Sequence, residues 1–245
     1  MTIKDKVVLI MGASSGIGEA TTKLLTEKGA KLVIAARSED KLKQLSTSLA
    51  KEDIYYKKVD VTNYDEVQEA VDLAMEKFGR IDVLFNNAGV MPTNLLIAGQ
   101  RDEWKQMLDI NVMGVLNGIA AALPIMVKQQ KGHIISTDSI AGHKVYPNAA
   151  VYGATKFAVR AIMEGLRQEH LSDNIKSTII SPGNVTTELY KTINDEKARE
   201  NEFNLRNETE LLTAEDIASA VAYAIDTPER MSVNEMVVRP TQQER

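Results

Sequence analysis

Three side chains between Ser139 and Lys156 have types and spacing that suit proton exchange with an oxygen atom. Tyr152 is a phenol, Lys156 lies four residues beyond it, and Ser139 lies thirteen residues before it. A free phenol has a pKa of about 10, so it can donate a proton at neutral pH but its conjugate base is scarce. An ammonium one helical turn away shares the helix face. It stabilises the phenolate and should bring the hydroxyl closer to working pH, favouring transfer in both directions. Each unit of lowering needs roughly 1.4 kcal/mol of favourable interaction. The Ser139 hydroxyl could hold a substrate oxygen beside the phenol while charge develops on it. Each residue also has a plainer reading. A Tyr and a Lys at this spacing arise often by chance, and Ser139 could be a loop hydroxyl.

For these groups to meet, the chain must fold residue 139 back against a helix running from about Asn148 to His170. Short runs rich in Val and Ile supply the strands for this: Lys6 to Met11, Lys31 to Ala36, Ile81 to Asn86, His133 to Asp138 and Lys176 to Ser181. Ile54 to Asp60 reads as a weaker strand, and Glu235 to Pro240 as a last edge strand. Amphipathic helices lie between. One carries Ala20, Leu24 and Leu25 and stops at Gly29. Another starts at the capping residue Asn63, carries Val67, Ala70, Val71 and Ala74 on one stripe, and stops at Gly79. Buried strands alternating with helices predict an α/β fold, a doubly wound parallel sheet with right-handed crossovers. No linker or repeat breaks the rhythm, so residues 1–245 are expected to form a single domain. The polar stretch from Val185 to Glu210 lacks a strand and falls where a substrate loop or helical lid would sit.

Composition narrows the partners. The 245 residues are 44% hydrophobic and 26% charged, with a net charge of −5. No basic patch points to nucleic acid. The chain has no cysteine and three scattered histidines, so no thiolate or zinc site is expected. The charged N-terminus is unlike a signal peptide, and no apolar run reads as a membrane span. A cytoplasmic location is the expectation.

The turn after the first strand, Met11 to Gly18, reads MGASSGIG. Gly12, Gly16 and Gly18 let the chain turn tightly, and the backbone from Ser14 and Ser15 to Ile17 can bring N–H groups to a pyrophosphate at the helix N-terminus. At the end of the second strand, where an acidic side chain would bond a ribose 2′-hydroxyl, stand Ala36, Arg37 and Ser38. With no carboxylate there, a 2′-phosphate could pair with Arg37 and Ser38, which predicts NADP(H) in preference to NAD(H).

Taken together, these motifs resemble the short-chain dehydrogenase/reductase family over nearly the whole chain. The glycine motif, NNAG at Asn86 to Gly89, Asn111 in NVMG, Ser139, the Tyr152 and Lys156 pair, and PGNVTT at Pro182 to Thr187 follow in the family's order. The resemblance implies a seven-stranded sheet of order 3-2-1-4-5-6-7 and hydride transfer between a nicotinamide and a carbonyl or secondary alcohol. It implies a catalytic set of Asn111, Ser139, Tyr152 and Lys156, with Lys156 also binding the nicotinamide ribose and Asn111 positioning a water. It places Asp60 and Val61 at the adenine and Asn87, Ala88 and Gly89 behind the ribose. Pro182, Gly183, Val185 and Thr187 would meet the nicotinamide, with Thr186 as the alternative if the loop register differs by one. Met11 departs from the family's usual Thr, and Asp138 before Ser139 is a less usual residue.

The substrate is expected to be a small carbonyl compound or alcohol. His143, Lys144, Val145, Tyr146, Asn148 and Met91 are expected near the pocket. Phe157, Val159, Ile162, Met163 and Leu166 spread around their helix, which predicts a homodimer or homotetramer through that helix or deeper burial within one chain. Two other readings keep the same residues: a non-catalytic NADP(H) sensor, and an isomerase or lyase.

Overall fold

The structure is a computed structural model and describes residues 3–49, 51, 53–208 and 210–243. Seven parallel strands form one sheet: β1 (Val7–Met11), β2 (Lys31–Ala36), β3 (Ile54–Lys58), β4 (Val83–Asn86), β5 (Gly132–Thr137), β6 (Ile175–Pro182) and β7 (Glu235–Val238), in the order β3-β2-β1-β4-β5-β6-β7. The five residues of β1 and the four of β4 are all buried, which is why these strands read as unbroken apolar runs. The order reverses between β1 and β4, and a crevice opens there beyond the carboxyl ends of the strands.

Helices cover both faces. Leu25 of α1 (Gly16–Glu27), Leu42 and Leu45 of α2 (Glu39–Leu49), and Ile217, Val221 and Ile225 of α8 (Ala214–Asp226) pack with one side of the sheet. The other side is covered by α3 (Tyr64–Phe78), α4 (Arg101–Leu108), α5 (Gly114–Gln129) and α6 (Ala150–Glu169). Local signals set the ends. Asn63 accepts hydrogen bonds from the N–H groups of Asp65 and Glu66, and Gly79 closes α3 with φ 72°. Thr213 and Asp216 form a reciprocal capping box at the start of α8.

Between α4 and α5 the chain makes a π turn, Asp109–Met113, so that residues 101–129 are helical throughout. This run of 29 residues has a most apolar window of mean hydropathy 1.9, long and apolar enough to cross a membrane. The expectation that no run reaches that length is therefore corrected. Half of the window is buried within the protein, as befits a helix lying on the sheet. Gly114, Gly118 and Pro124 punctuate the run, so it does not read as one apolar block.

The stretch from 185 to 210 is more ordered than its composition suggests. It contains a single helical turn, Glu188–Thr192, and then α7 (Glu196–Glu208). Its two flanks are tied together: Val185 bridges Leu212, and Thr186 N–H donates to the Leu212 carbonyl at 2.8 Å.

Candidate active site

The glycine loop forms the floor of the crevice. Gly12 has φ 84°, and a Cβ there would lie 2.6 Å from the backbone nitrogen of Ala88. A Cβ on Gly18 would lie 2.1 Å from the Gly12 carbonyl oxygen. Only glycine lets the turn after β1 press this closely against the segment following β4. Asn87 locks the two together: its side-chain Nδ2 donates to Gly12 O at 3.1 Å, and its Oδ1 accepts from Thr137 Oγ1 at 2.9 Å.

A cavity of about 450 Å³ runs from this loop along the strand ends. Its wall includes Gly12, Ser14, Ser15, Gly16 and Ile17, then Arg37 and Ser38, then Asp60 and Val61, then Asn87, Ala88 and Gly89. Pro182, Gly183, Val185 and Thr187 close it from the β6 side, and Ser139, Tyr152 and Lys156 stand at its chemical end. Gly18 and Asn111 are not in the wall. Gly18 acts by packing behind it, as its contact with Gly12 shows. Asp60 holds its loop through Oδ1, which accepts from Thr62 N–H at 3.0 Å and from Thr62 Oγ1 at 2.8 Å.

Asn111 is buried in the π turn and serves as a bracket. Its Oδ1 accepts from Val90 N–H at 2.9 Å, while Nδ2 donates to Val90 O at 2.9 Å and to Thr155 Oγ1 at 3.2 Å. It thereby fixes the strand-end loop against the helix that carries Tyr152 and Lys156. The π turn widens the helix at the position that must present this side chain.

The chemical groups meet as their spacing predicts. Ser139 precedes a single turn, Ile140–Gly142, and hydrogen bonds with Tyr152. Lys156 lies on the same face of α6, with Nζ 5.7 Å from the Tyr152 ring centroid, and donates to Thr137 O at 2.8 Å. Both residues are about 6% exposed. Their electrostatics differ from the sequence expectation. Burial pushes the Tyr152 hydroxyl well above its ordinary value, the Ser139 hydrogen bond pulls it back, and the charges of Asp138 and Glu202 add to the rise. Burial also lowers Lys156, against the pull of Asp138. Burial thus moves the phenol up and the ammonium down, so the pairing does not by itself bring Tyr152 toward neutrality.

Several wall residues carry no motif. Lys41, on the first turn of α2, joins Arg37 and Ser38, and Val59 and Ile110 line the wall near Val61. Leu189, Thr192 and Glu202 from the 185–210 stretch, with Leu211, roof the chemical end. Thr192 ties this roof down, its Oγ1 accepting from Met91 N–H at 2.8 Å. Of the residues expected near the substrate, Met91 lines the cavity, but His143, Lys144, Val145, Tyr146 and Asn148 do not. His143 turns away toward Ser181, Arg160 and Glu235. On α6, Val159, Met163 and Leu166 are spent on the core, while Phe157 stays 43% exposed. No group of three or more metal-ligating side chains occurs among the described residues.

Comparison with known proteins agrees with this geometry. The family model for short chain dehydrogenases matches residues 6–198. An uncharacterized oxidoreductase of Staphylococcus saprophyticus is 51% identical over 243 residues, covering 98% of each chain. The closed form of a serine dehydrogenase complexed with NADP+ superimposes with a TM-score of 0.92 at 30% identity, over 98% of this chain and 96% of that one. A short chain dehydrogenase/reductase of Burkholderia phymatum in complex with NAD gives 0.88 at 28% identity, over 97% and 90%. With its sheet order, its strand-end crevice and these likenesses all in agreement, the chain belongs to the short-chain dehydrogenase/reductase family of oxidoreductases.

Proposed function

We propose that this chain reduces a small aldehyde or ketone, or oxidises the matching secondary alcohol, with NADP(H) as the hydride carrier. The observation that carries the reading is one cavity, with a glycine floor at one end and Ser139, Tyr152 and Lys156 at the other. The residues present fit a dinucleotide. The Gly12 and Gly18 positions leave no room for a Cβ, and Arg37 and Ser38 have no side-chain hydrogen bond or ion pair among the described residues. The nicotinamide supplies or accepts the hydride, and the protein handles the proton.

In that division, Ser139 holds the substrate oxygen beside the phenol. Tyr152 gives up its proton as charge develops on that oxygen, and takes one in the reverse direction. Lys156 sets the field around the phenol, while Asn111 braces the wall. Thr187 lies against Gly16, where a Cβ on the glycine would sit 3.3 Å from its side chain, so PGNVTT and the glycine loop face the same ligand space. Arg37, Ser38 and Lys41, which line the cavity together, would hold the 2′-phosphate.

The test is a panel of aldehydes and ketones with NADPH and NADH, run on wild type and Tyr152→Phe. Turnover with NADPH is expected, and the variant should keep cofactor affinity while losing about 100- to 10,000-fold in kcat, the range for a general acid. A variant within a few-fold of wild type removes Tyr152 from the role. No net consumption of NADPH with any substrate removes the oxidoreductase reading and favours a sensor or an isomerase. We also propose a homo-oligomer: Leu108, Met113 and Phe157 leave apolar surface exposed around the α4–α5 junction and on α6. Sedimentation at micromolar concentration should find dimers or tetramers, and a monomer alone would refute this.

A further inference from the structure

A second cavity, of about 540 Å³, opens at the amino ends of the strands, opposite the crevice described above. Lys6 directly precedes β1, Asp82 directly precedes β4, Gly132 and His133 begin β5, and Lys176 lies at the start of β6. Three left-handed turns form its rim: Asp5 with φ 64°, Gln130 with φ 52° at the end of α5, and Asn174 with φ 55° before β6. Lys6 and Gly12 flank β1, so roughly 20 Å of strand, at about 3.3 Å per residue, separates this cavity from the glycine loop. The volume falls within the range of small-ligand sites, about 300–1,000 Å³.

Its wall is cationic, in a chain whose net charge is −5. Lys4, Lys6, Arg80, Lys131, Lys176 and Arg230 meet there, against Asp5, Asp82 and Glu229. Two of the carboxylates already have cations: Asp82 pairs with Arg80 and accepts from Val7 N–H at 2.9 Å, and Glu229 pairs with Lys131. Four cations are left with the exposed carboxylate of Asp5. Two of them hold the chain at the end of α8, where Lys176 Nζ donates to Pro228 O at 2.7 Å and Lys6 Nζ to Ile225 O at 2.7 Å. An ammonium has three protons, so Lys6 keeps two without a partner among the described residues. Lys4 and Arg230 have no side-chain hydrogen bond or ion pair among the described residues. The lysines also oppose one another. Lys6 and Lys176 are each held below the ordinary lysine value, by burial first, and Lys131 adds to the fall in both.

We infer that this cavity is a binding site for a compact polyanion, a small molecule carrying several phosphate or carboxylate oxygens. Such a ligand accepts charge-assisted hydrogen bonds from the free protons of Lys6 and from Lys4 and Arg230, and it relieves the repulsion among Lys6, Lys131 and Lys176. A long polyanion is disfavoured, because beyond the cavity it meets a molecule of net negative charge. The inference stands apart from the function proposed above, since no residue of this wall belongs to the glycine loop or to the chemical end of the other cavity.

The test is an NMR titration of the full chain with inorganic pyrophosphate and, separately, with citrate, at ionic strength held constant with sodium chloride. His133 lies in the wall, and the chain has three histidines, so its ring proton is assigned with the single variant His133→Gln. A saturable shift of that proton is expected, whether or not pyrophosphate also occupies the glycine loop. A response to pyrophosphate alone identifies a phosphate ligand, a response to citrate alone a carboxylate one, and a response to both a site that takes either. Replacing Lys6 or Lys176 also loosens the end of α8, so the variant of choice is the double change Lys4→Glu and Arg230→Glu, at two exposed residues. It should weaken binding by about tenfold or more, because each attraction becomes a repulsion. No shift of His133 with either anion, a shift that sodium chloride alone reproduces, or equal affinity in wild type and the double variant overturns the inference. Turnover in the carbonyl panel has no bearing on this result, so the two readings fail separately.

Discussion

Choice between the two nicotinamide cofactors provides a quantitative test of the strand-end residues. Ala36 closes β2 and is buried, whereas Arg37 and Ser38 face solvent at the mouth of the cavity. A hydrogen bond to a charged group contributes about 1.5–3 kcal/mol. Because Arg37 is exposed, the lower end applies, and about 1.5 kcal/mol corresponds to roughly tenfold in Kd. Arg37→Ala should therefore weaken NADPH binding about tenfold and leave NADH nearly unchanged. Ala36→Asp acts by repulsion instead. A carboxylate about 5 Å from a phosphate dianion costs about 1.7 kcal/mol in water-like surroundings, again somewhat over tenfold. The two positions are neighbours, so the effects of a double variant need not add. Fluorescence titration of each protein with both cofactors measures the effect. Raising the salt from 0.05 to about 0.5 M should shrink the wild-type preference, since the contacts are exposed. Equal affinity of the wild type for NADH and NADPH, or a loss in Arg37→Ala shared by both cofactors, would refute the assignment.

Other outcomes follow from the same contacts. Gly18→Ala drives a Cβ into the Gly12 carbonyl oxygen and should abolish binding of either cofactor in the titration, with a lower melting temperature. Asn111→Ala leaves the buried Val90 N–H and carbonyl without their partner, a cost of about 1–3 kcal/mol per orphaned group, measurable by urea denaturation. His133 is buried on β5 and held neutral, its pKa lowered to about 3 by burial and then by Lys176 and Lys6. Its folded value lies below the unfolded one, so its share of stability is present above about pH 6.5 and is lost as pH falls toward 3. Melting curves across that window should be flatter for His133→Gln than for wild type. Parallel curves would contradict the account.

The framework of the fold was legible because its strands are buried on both sides and write themselves as Val- and Ile-rich runs. β2 has the expected bounds, and α3 begins after Asn63 and ends before Gly79 as its caps dictate. β1 begins one residue later than expected, at the first apolar residue after Lys6, and β4 two residues later, since Ile81 is buried before the ladder starts. The nearness of Ser139, Tyr152 and Lys156 was legible, because helical spacing and a strand end fix their positions locally. The roof was not. Residues 196–208 form a helix from a stretch so polar that no apolar stripe marks it. Lys41 carries no motif, and only the placement of α2 brings it to the cavity. His143 was misjudged because sequence adjacency to α6 does not say which way a side chain turns. Protonation was the least legible property: spacing placed Lys156 beside Tyr152, but the burial of both, which raises the phenol and lowers the ammonium, is a property of the fold and not of the spacing.

The π turn at Asp109–Met113 constrains how the gene can change. Regular helix advances about 100° per residue. Deleting one residue there to restore ordinary winding would swing every side chain of α5 by about that angle. Gly118, which now passes so near Asn86 that a Cβ would lie 2.4 Å from its Oδ1, would be replaced at the contact by a bulkier neighbour. Insertions and deletions that surface loops absorb without loss are thus closed to this segment, and its length should be as fixed as the identity of any residue in it.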